Sequence, residues 1–231
     1  MRHRVIWLTI FFVTSTIVFL GGVIFVLLFQ IPDIYQELQI PEGSIRKDQS
    51  GQMIAKITNL FNELKNNEQK WGLRCSIDQL NSYIQEDFMQ SIGSGSDLPK
   101  KVNDIRVSIG DDIYVGFRYQ SFCGEVIVSI QFRVWLVAHE TNTICLELIQ
   151  LKAGSIPLSP HLLLDFITES AHQANMGISW YRHKGNPVAL LKYQADQLLP
   201  TMIIDCLRAE NGELLISGRS TEVDEVTKSN P

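Results

Sequence analysis

No Lys, Arg, Asp or Glu occurs between Val5 and Phe29, and so long a stretch without charge excludes an ordinary segment of a soluble core. A bilayer's hydrocarbon layer of about 30 Å is crossed by roughly 20 apolar helical residues. Basic residues are in deficit: 20 Lys and Arg stand against 25 Asp and Glu, a net charge of −5. Two of the basic residues, Arg2 and Arg4, precede the apolar run, so the rest of the chain is more acidic still. A body without a basic surplus does not collect phosphates, which excludes nucleic acid as a partner and a charge-driven hold on anionic head groups. Proline is scarce, at eight residues, and apolar residues make up 45% of the chain, which excludes a disordered tail protein. Signatures of chemistry are missing as well. There is no H-E-x-x-H, C-x-x-C or G-x-S-x-G, and the loop Ser91–Asp97 has neither glycine pattern that cradles phosphates. Neither an enzyme nor a cofactor is expected.

What is present begins with the anchor. Lys and Arg near a span stay in the cytoplasm. Arg2 and Arg4 on one side, against Asp33, Glu37 and Glu42 on the other, therefore place the N-terminus inside and the following chain outside. A cleaved signal peptide has a shorter apolar region ending at small residues; this run is longer and leaves through Leu28-Phe29-Gln30-Ile31-Pro32, which favours an uncleaved single-pass anchor. Trp7 and Tyr35 suit the two interfaces, and Gly21-Gly22 is not a G-x-x-x-G contact. The chain divides into residues 1–30 as cytoplasmic tail and transmembrane anchor, 31–52 as a Pro- and Gly-punctuated stalk, 53–219 as an extracytoplasmic domain and 220–231 as a frayed tail.

Within the domain the periodicity changes from helical to extended. Met53, Ile54, Ile57, Leu60, Phe61 and Leu64 recur at helical spacing in a helix ending near Trp71-Gly72. Ser76 and Gln79 form a capping box for a second helix with Ile77, Leu80, Tyr83, Ile84 and Phe88 as its stripe. From Asp104 apolar residues alternate. Strands containing Ile105–Ile109, Ile113–Tyr119, Val126–Ala138 and Ile144–Leu151 form an antiparallel meander. Strict alternation puts Ile144, Leu146 and Leu148 on one face of the fourth strand and Cys145, Ile149 and Leu151 on the other, an apolar surplus that needs cover on both sides. Ser159-Pro160 opens a helix to about Asn175; Ile178–Lys184 and Pro187–Tyr193 are short strands; Met202–Ala209 and Glu213–Gly218 form a hairpin through Asn211-Gly212. The fold class is α+β: an N-terminal transmembrane helix, then a curved antiparallel meander packed on long amphipathic helices.

Few polar constellations compete for a chemical role. Asp165, Glu169 and His172 share a helix face, half of a carboxylate-bridged metal site, but they lie opposite the Leu163/Phe166/Ile167 stripe and read as a solvated face. The four cysteines, Cys75, Cys123, Cys145 and Cys206, have no metal-ligand spacing; two disulfides and buried free thiols both remain open. Trp135 and Trp180 fall at core or rim spacing.

The capped segment Cys75-Ser76-Ile77-Asp78-Gln79-Leu80-Asn81-Ser82-Tyr83-Ile84, the meander and Leu148-Ile149-Gln150-Leu151-Lys152-Ala153-Gly154-Ser155-Ile156-Pro157-Leu158 leading into a helix together resemble YpmS-type bacterial envelope proteins. They are also similar in pattern to tubular lipid-binding domains, in which a curved sheet wraps a long helix. That resemblance implies a membrane-tethered domain with an apolar groove and transfers no catalytic residue. An apolar ligand such as a lipid or acyl chain, held between sheet and helix by Ile149, Leu151, Leu162, Leu164, Phe166 and Trp135, is the functional expectation. A non-catalytic scaffold that binds an envelope protein partner is the alternative.

Overall fold

The computed structural model describes residues 2–92, 101–174, 176–193 and 202–220. Most of the expected Ser91–Asp97 loop, the last residue of the helix expected to reach Asn175, and the tail beyond residue 220 lie outside them. Helix α1, Arg2–Leu28, has the length and composition of a membrane span, with Phe11, Phe12, Val18 and Phe19 all at least 71% exposed. Its Thr14 and Thr16 hydroxyls donate to the carbonyls of Ile10 and Phe12, each at 2.9 Å, so neither presents a free polar group to an apolar surrounding.

The architecture is α+β with two antiparallel sheets. Strands β2 (Val102–Ile109), β3 (Ile113–Ser121), β4 (Gly124–Leu136) and β5 (Thr143–Ala153) form the expected meander. β8 (Asn186–Lys192) lies beside β5, β7 (Gly177–His183) lies outside β8, and the short β6 (Ile156–Pro157) folds back on β5. The smaller sheet has the order β1-β10-β9, from Trp71–Ser76, Glu213–Ser220 and Met202–Glu210. Its hairpin turns at Asn211 and Gly212, whose φ values of 50° and 80° are those of the tight turn that matches strand twist.

Three local departures separate this structure from the pattern in the sequence. Helix α3 runs Ser44–Lys65 and ends before Trp71, because Asn67 turns left-handed at φ 51° and the chain then enters β1. The helix starts well ahead of its apolar stripe because polar contacts hold its first turns: Arg46 pairs with Glu86 at 2.5 Å, Ser50 hydrogen-bonds Asp87, and Ser82 donates to Gln49 at 3.0 Å. Helix α4 (Ile77–Tyr83) has the expected capping box but passes through a π-helical turn, Ile84–Phe88, into α5 (Met89–Ile92). The extra residue lets both Phe88 and Met89 pack on the core of Ile84, Val107 and Ile109.

The outer edge of β2 is closed by side chains and a turn. Asn81 on α4 donates to the Val107 carbonyl and accepts its N–H, both at 2.7 Å. Gln85 donates to the Ile105 carbonyl at 2.8 Å, and the Gly212 N–H donates to the Ile109 carbonyl at 3.0 Å. Asn142, at φ 55°, does the same for β9, donating to Met202 at 2.5 Å and accepting from Ile204 at 2.8 Å. Asn81→Ala leaves two backbone groups of β2 without partners, and a loss of about 2–4 kcal/mol is expected. Chemical denaturation should show that loss, and it should leave the exposed control Asn59→Ala within about 0.5 kcal/mol of the parent.

Candidate functional site

The segment expected as a stalk is folded against the sheet. Helix α2, Asp33–Glu37, carries Tyr35 onto β2 and β3, where the ring is 1% exposed; it does not serve as an interfacial aromatic. Gly116 on β3 makes the slot, since a Cβ there would lie 2.6 Å from the ring's Cδ2. The Tyr35 hydroxyl donates to the Asp104 carbonyl at 2.7 Å, and Arg106 donates to the Tyr35 carbonyl at 2.8 Å with its guanidinium 4.3 Å from the ring centre. A bulge between Asn103 and Arg106 and the left-handed φ of 50° at Asp104 aim that carboxylate at Arg106, 2.8 Å away, and Arg118, 3.1 Å away. Burial alone would raise the Asp104 pKa, but hydrogen bonds from both guanidiniums outweigh it and hold the group below the usual Asp value. Burial pushes the Tyr35 phenol up, with the nearby Asp104 charge adding to it.

The domain also rests directly on the end of α1. Gly154, at φ +57°, passes so close to the Leu28 carbonyl that no Cβ fits there. The next N–H, of Ser155, donates to the Leu27 carbonyl at 2.9 Å, and the Ser155 hydroxyl bonds Gln30 at 2.6 Å. One of the orphan carbonyls at a helix C-terminus is thus satisfied by the β5–β6 turn. On the adjacent β3–β4 turn a Cβ at Gly124 would lie 3.1 Å from the Phe29 ring.

The two faces of the large sheet differ sharply, and a bulge corrects the assignment made by strict alternation. Gln131 pairs with Gln150, yet Phe132 pairs with Leu148, so Ile149 is an extra residue that inverts the phase of β5. Leu151 therefore lies opposite Ile130, on the same face as Leu148. That face also carries Val115 and Phe117 of β3, Val128 and Val134 of β4, and Ala189 of β8. The opposite face is polar in the middle of β2 to β5, with Ser108, Tyr114, Ser129, Gln131, Gln150 and Lys152 around a cavity of about 470 Å³ under Pro32 and Ile34. The apolar surplus on β5 thus belongs largely to one face, not two.

No family model matches the chain, and no curated protein or solved structure matches it. The residues expected to line a groove fall on β4, β5 and α6. Leu151 is partly buried on the apolar face, Ile149 sits in the bulge, and Trp135 pairs with Cys145 on the other face. On α6, His161–Gln173, Leu164 is partly buried and Phe166 is 52% exposed; the Leu162 side chain is outside the described residues. Trp180 donates to Thr168 of α6 at 2.9 Å, which ties this helix to β7 over the apolar face. Asp165, Glu169 and His172 are exposed on α6. All four cysteines are free thiols, and burial raises the pKa of Cys75 and of Cys145, so both are poor nucleophiles. Sequence reasoning missed the Tyr35 cluster; its only signal was an aromatic residue in a segment otherwise read as linker.

Asp104→Asn leaves Arg106 without its counter-charge, and a loss of about 3 kcal/mol is expected, at the low end for breaking a buried pair. Because the folded pKa of Asp104 is depressed, its contribution is complete above the ordinary Asp value of 3.8 and is lost as the pH falls through the lower folded value. Urea midpoints of parent and variant should therefore differ at pH 7 and converge in acid.

Proposed function

We propose that this chain is a single-pass, non-catalytic envelope protein of the YpmS type. Its N-terminus is cytoplasmic, and its exported domain holds an apolar ligand, a lipid or acyl chain, on the apolar face of the large sheet beneath α6. One observation carries the reading. Val128, Ile130, Phe132, Val134 and Leu136 follow one another along that face of β4, and none of them is fully buried. A face this apolar is normally closed by its cover. Leu163, Leu164 and Ile167 of α6, which packs at the β7 end of this face, are themselves only partly buried. The face begins at Val126 and Ala153, beside the two turns that meet the end of α1, so an acyl chain has a short path to it from a membrane. Apolar burial at about 25 cal/mol per Å² retains such a chain without a charged contact.

The scaffold reading has its own support in the cavity of about 470 Å³ on the other face, where Asp111, Asp112, Gln131 and Gln150 beside Pro32 and Ile34 offer a peptide segment of a protein partner both hydrogen bonds and apolar contact. Native mass spectrometry of the full-length protein released from nanodiscs separates the two. The parent is expected to retain a lipid-sized adduct, and Leu151→Asn to lose it while keeping its circular dichroism. No adduct on the parent, or unfolding of Leu151→Asn, would make this face ordinary core and leave the scaffold reading in its place. For orientation, a reporter active only outside the cytoplasm is expected to work when fused after Pro231; activity of a cytoplasmic reporter at the same position would reverse the topology.

A further inference from the structure

Phe122 is the most exposed large apolar side chain among the described residues outside any helix, at 101% of its reference surface. It stands at the tip of a two-residue turn closed by the Ser121–Gly124 pair. That tip is held in place: the Ser121 hydroxyl donates to the Gly124 carbonyl at 2.7 Å and accepts the Cys123 N–H at 3.2 Å. A fully exposed aromatic ring on a braced turn loses apolar burial in water and gains no freedom in exchange. The turn lies where α1 ends. A Cβ at Gly124 would be 3.1 Å from the Phe29 ring, and the neighbouring turn donates to the Leu27 carbonyl. Ile31 and Leu158, each within three residues of that junction, are 40% and 41% exposed.

We propose that the β3–β4 turn is a second membrane contact, with Phe122 inserted at head-group level in the same bilayer that α1 crosses. The inference rests on the reading of α1 as a span and is independent of any ligand on the sheet. Its occupant follows from position: the residue two before Gly124 cannot be far from the level at which the Phe29 ring leaves the helix, and aromatic rings are enriched at that depth. Two contacts, α1 and Phe122, fix the tilt of the domain, where α1 alone would leave it free to lean.

Cys123 beside Phe122 supplies the probe, because Cys75 and Cys145 are buried. In a Cys206→Ser background, Cys123 of the full-length protein is labelled with an environment-sensitive nitrobenzoxadiazole maleimide in phosphatidylcholine vesicles. A matched sample carries the label on Thr141→Cys with Cys123→Ser, in the exposed turn at the other end of β4. The expected result is blue-shifted emission at Cys123, quenched by a shallow lipid-borne nitroxide and protected from iodide, with the Thr141→Cys label in water. Phe122→Ser is expected to return the Cys123 label to water without releasing the protein from the vesicles. Resistance to alkaline carbonate with an iodide-accessible Cys123 label would overturn the contact alone. Release by carbonate would overturn the span and the contact together, and an unchanged signal in Phe122→Ser would take the role away from that ring.

Discussion

Asp104 lies between two guanidiniums, and its backbone carbonyl accepts the hydroxyl of a phenol ring seated on Gly116; the route of the chain from α1 to α3 depends on that arrangement. A segment rich in polar residues and punctuated by proline has little apolar surface with which to bind a sheet. Here it is held instead by one aromatic ring, one carboxylate and two arginines, all placed by a bulge that turns Asp104 left-handed. With Tyr35 seated, little chain is left to wander before α3 begins at Ser44, and the first turns of that helix meet α4 and the π-helical turn through Arg46, Gln49 and Ser50.

Much of the β-structure was legible because it depends on local alternation and turn chemistry. The meander, the capping box at Ser76 and Gln79, and the Asn211-Gly212 hairpin all have short-range signals. The unread parts depend on partners distant in sequence. β1 forms because Trp71 to Ser76 pair with Gly218 to Glu213, and nothing near Trp71 announces that. The phase inversion at Ile149 shows only in the register with β4. A strict period of two assigns Leu151 to the face opposite the one it occupies.

The same register explains the division of labour across the large sheet. One face is apolar from β2 to β7, with α4 and α5 at its β2 end, α6 at β7 and β9 of the smaller sheet against β4; the other carries hydroxyl, amide and charge in the middle of β2 to β5, with Ile127, Trp135 and Cys145 toward its ends, and receives α2. Sheets with one dry and one wet face are the ordinary antiparallel case. What distinguishes this one is the incomplete burial along β4, where a long apolar row remains partly exposed, and the hydrogen bond from its β5–β6 turn to the Leu27 carbonyl at the end of α1.

The sealing of β2 limits how this domain can associate with itself. An edge strand with free backbone groups invites another strand, but on β2 the carbonyls of Ile105, Val107 and Ile109 and the N–H of Val107 are taken by Gln85, Asn81 and Gly212. In the large sheet β7 is then the one terminal strand not sealed in this way among the described residues. Among the described residues, strand addition at the ends of that sheet is left to β7, so two copies joined there would leave neither terminal strand open to a third.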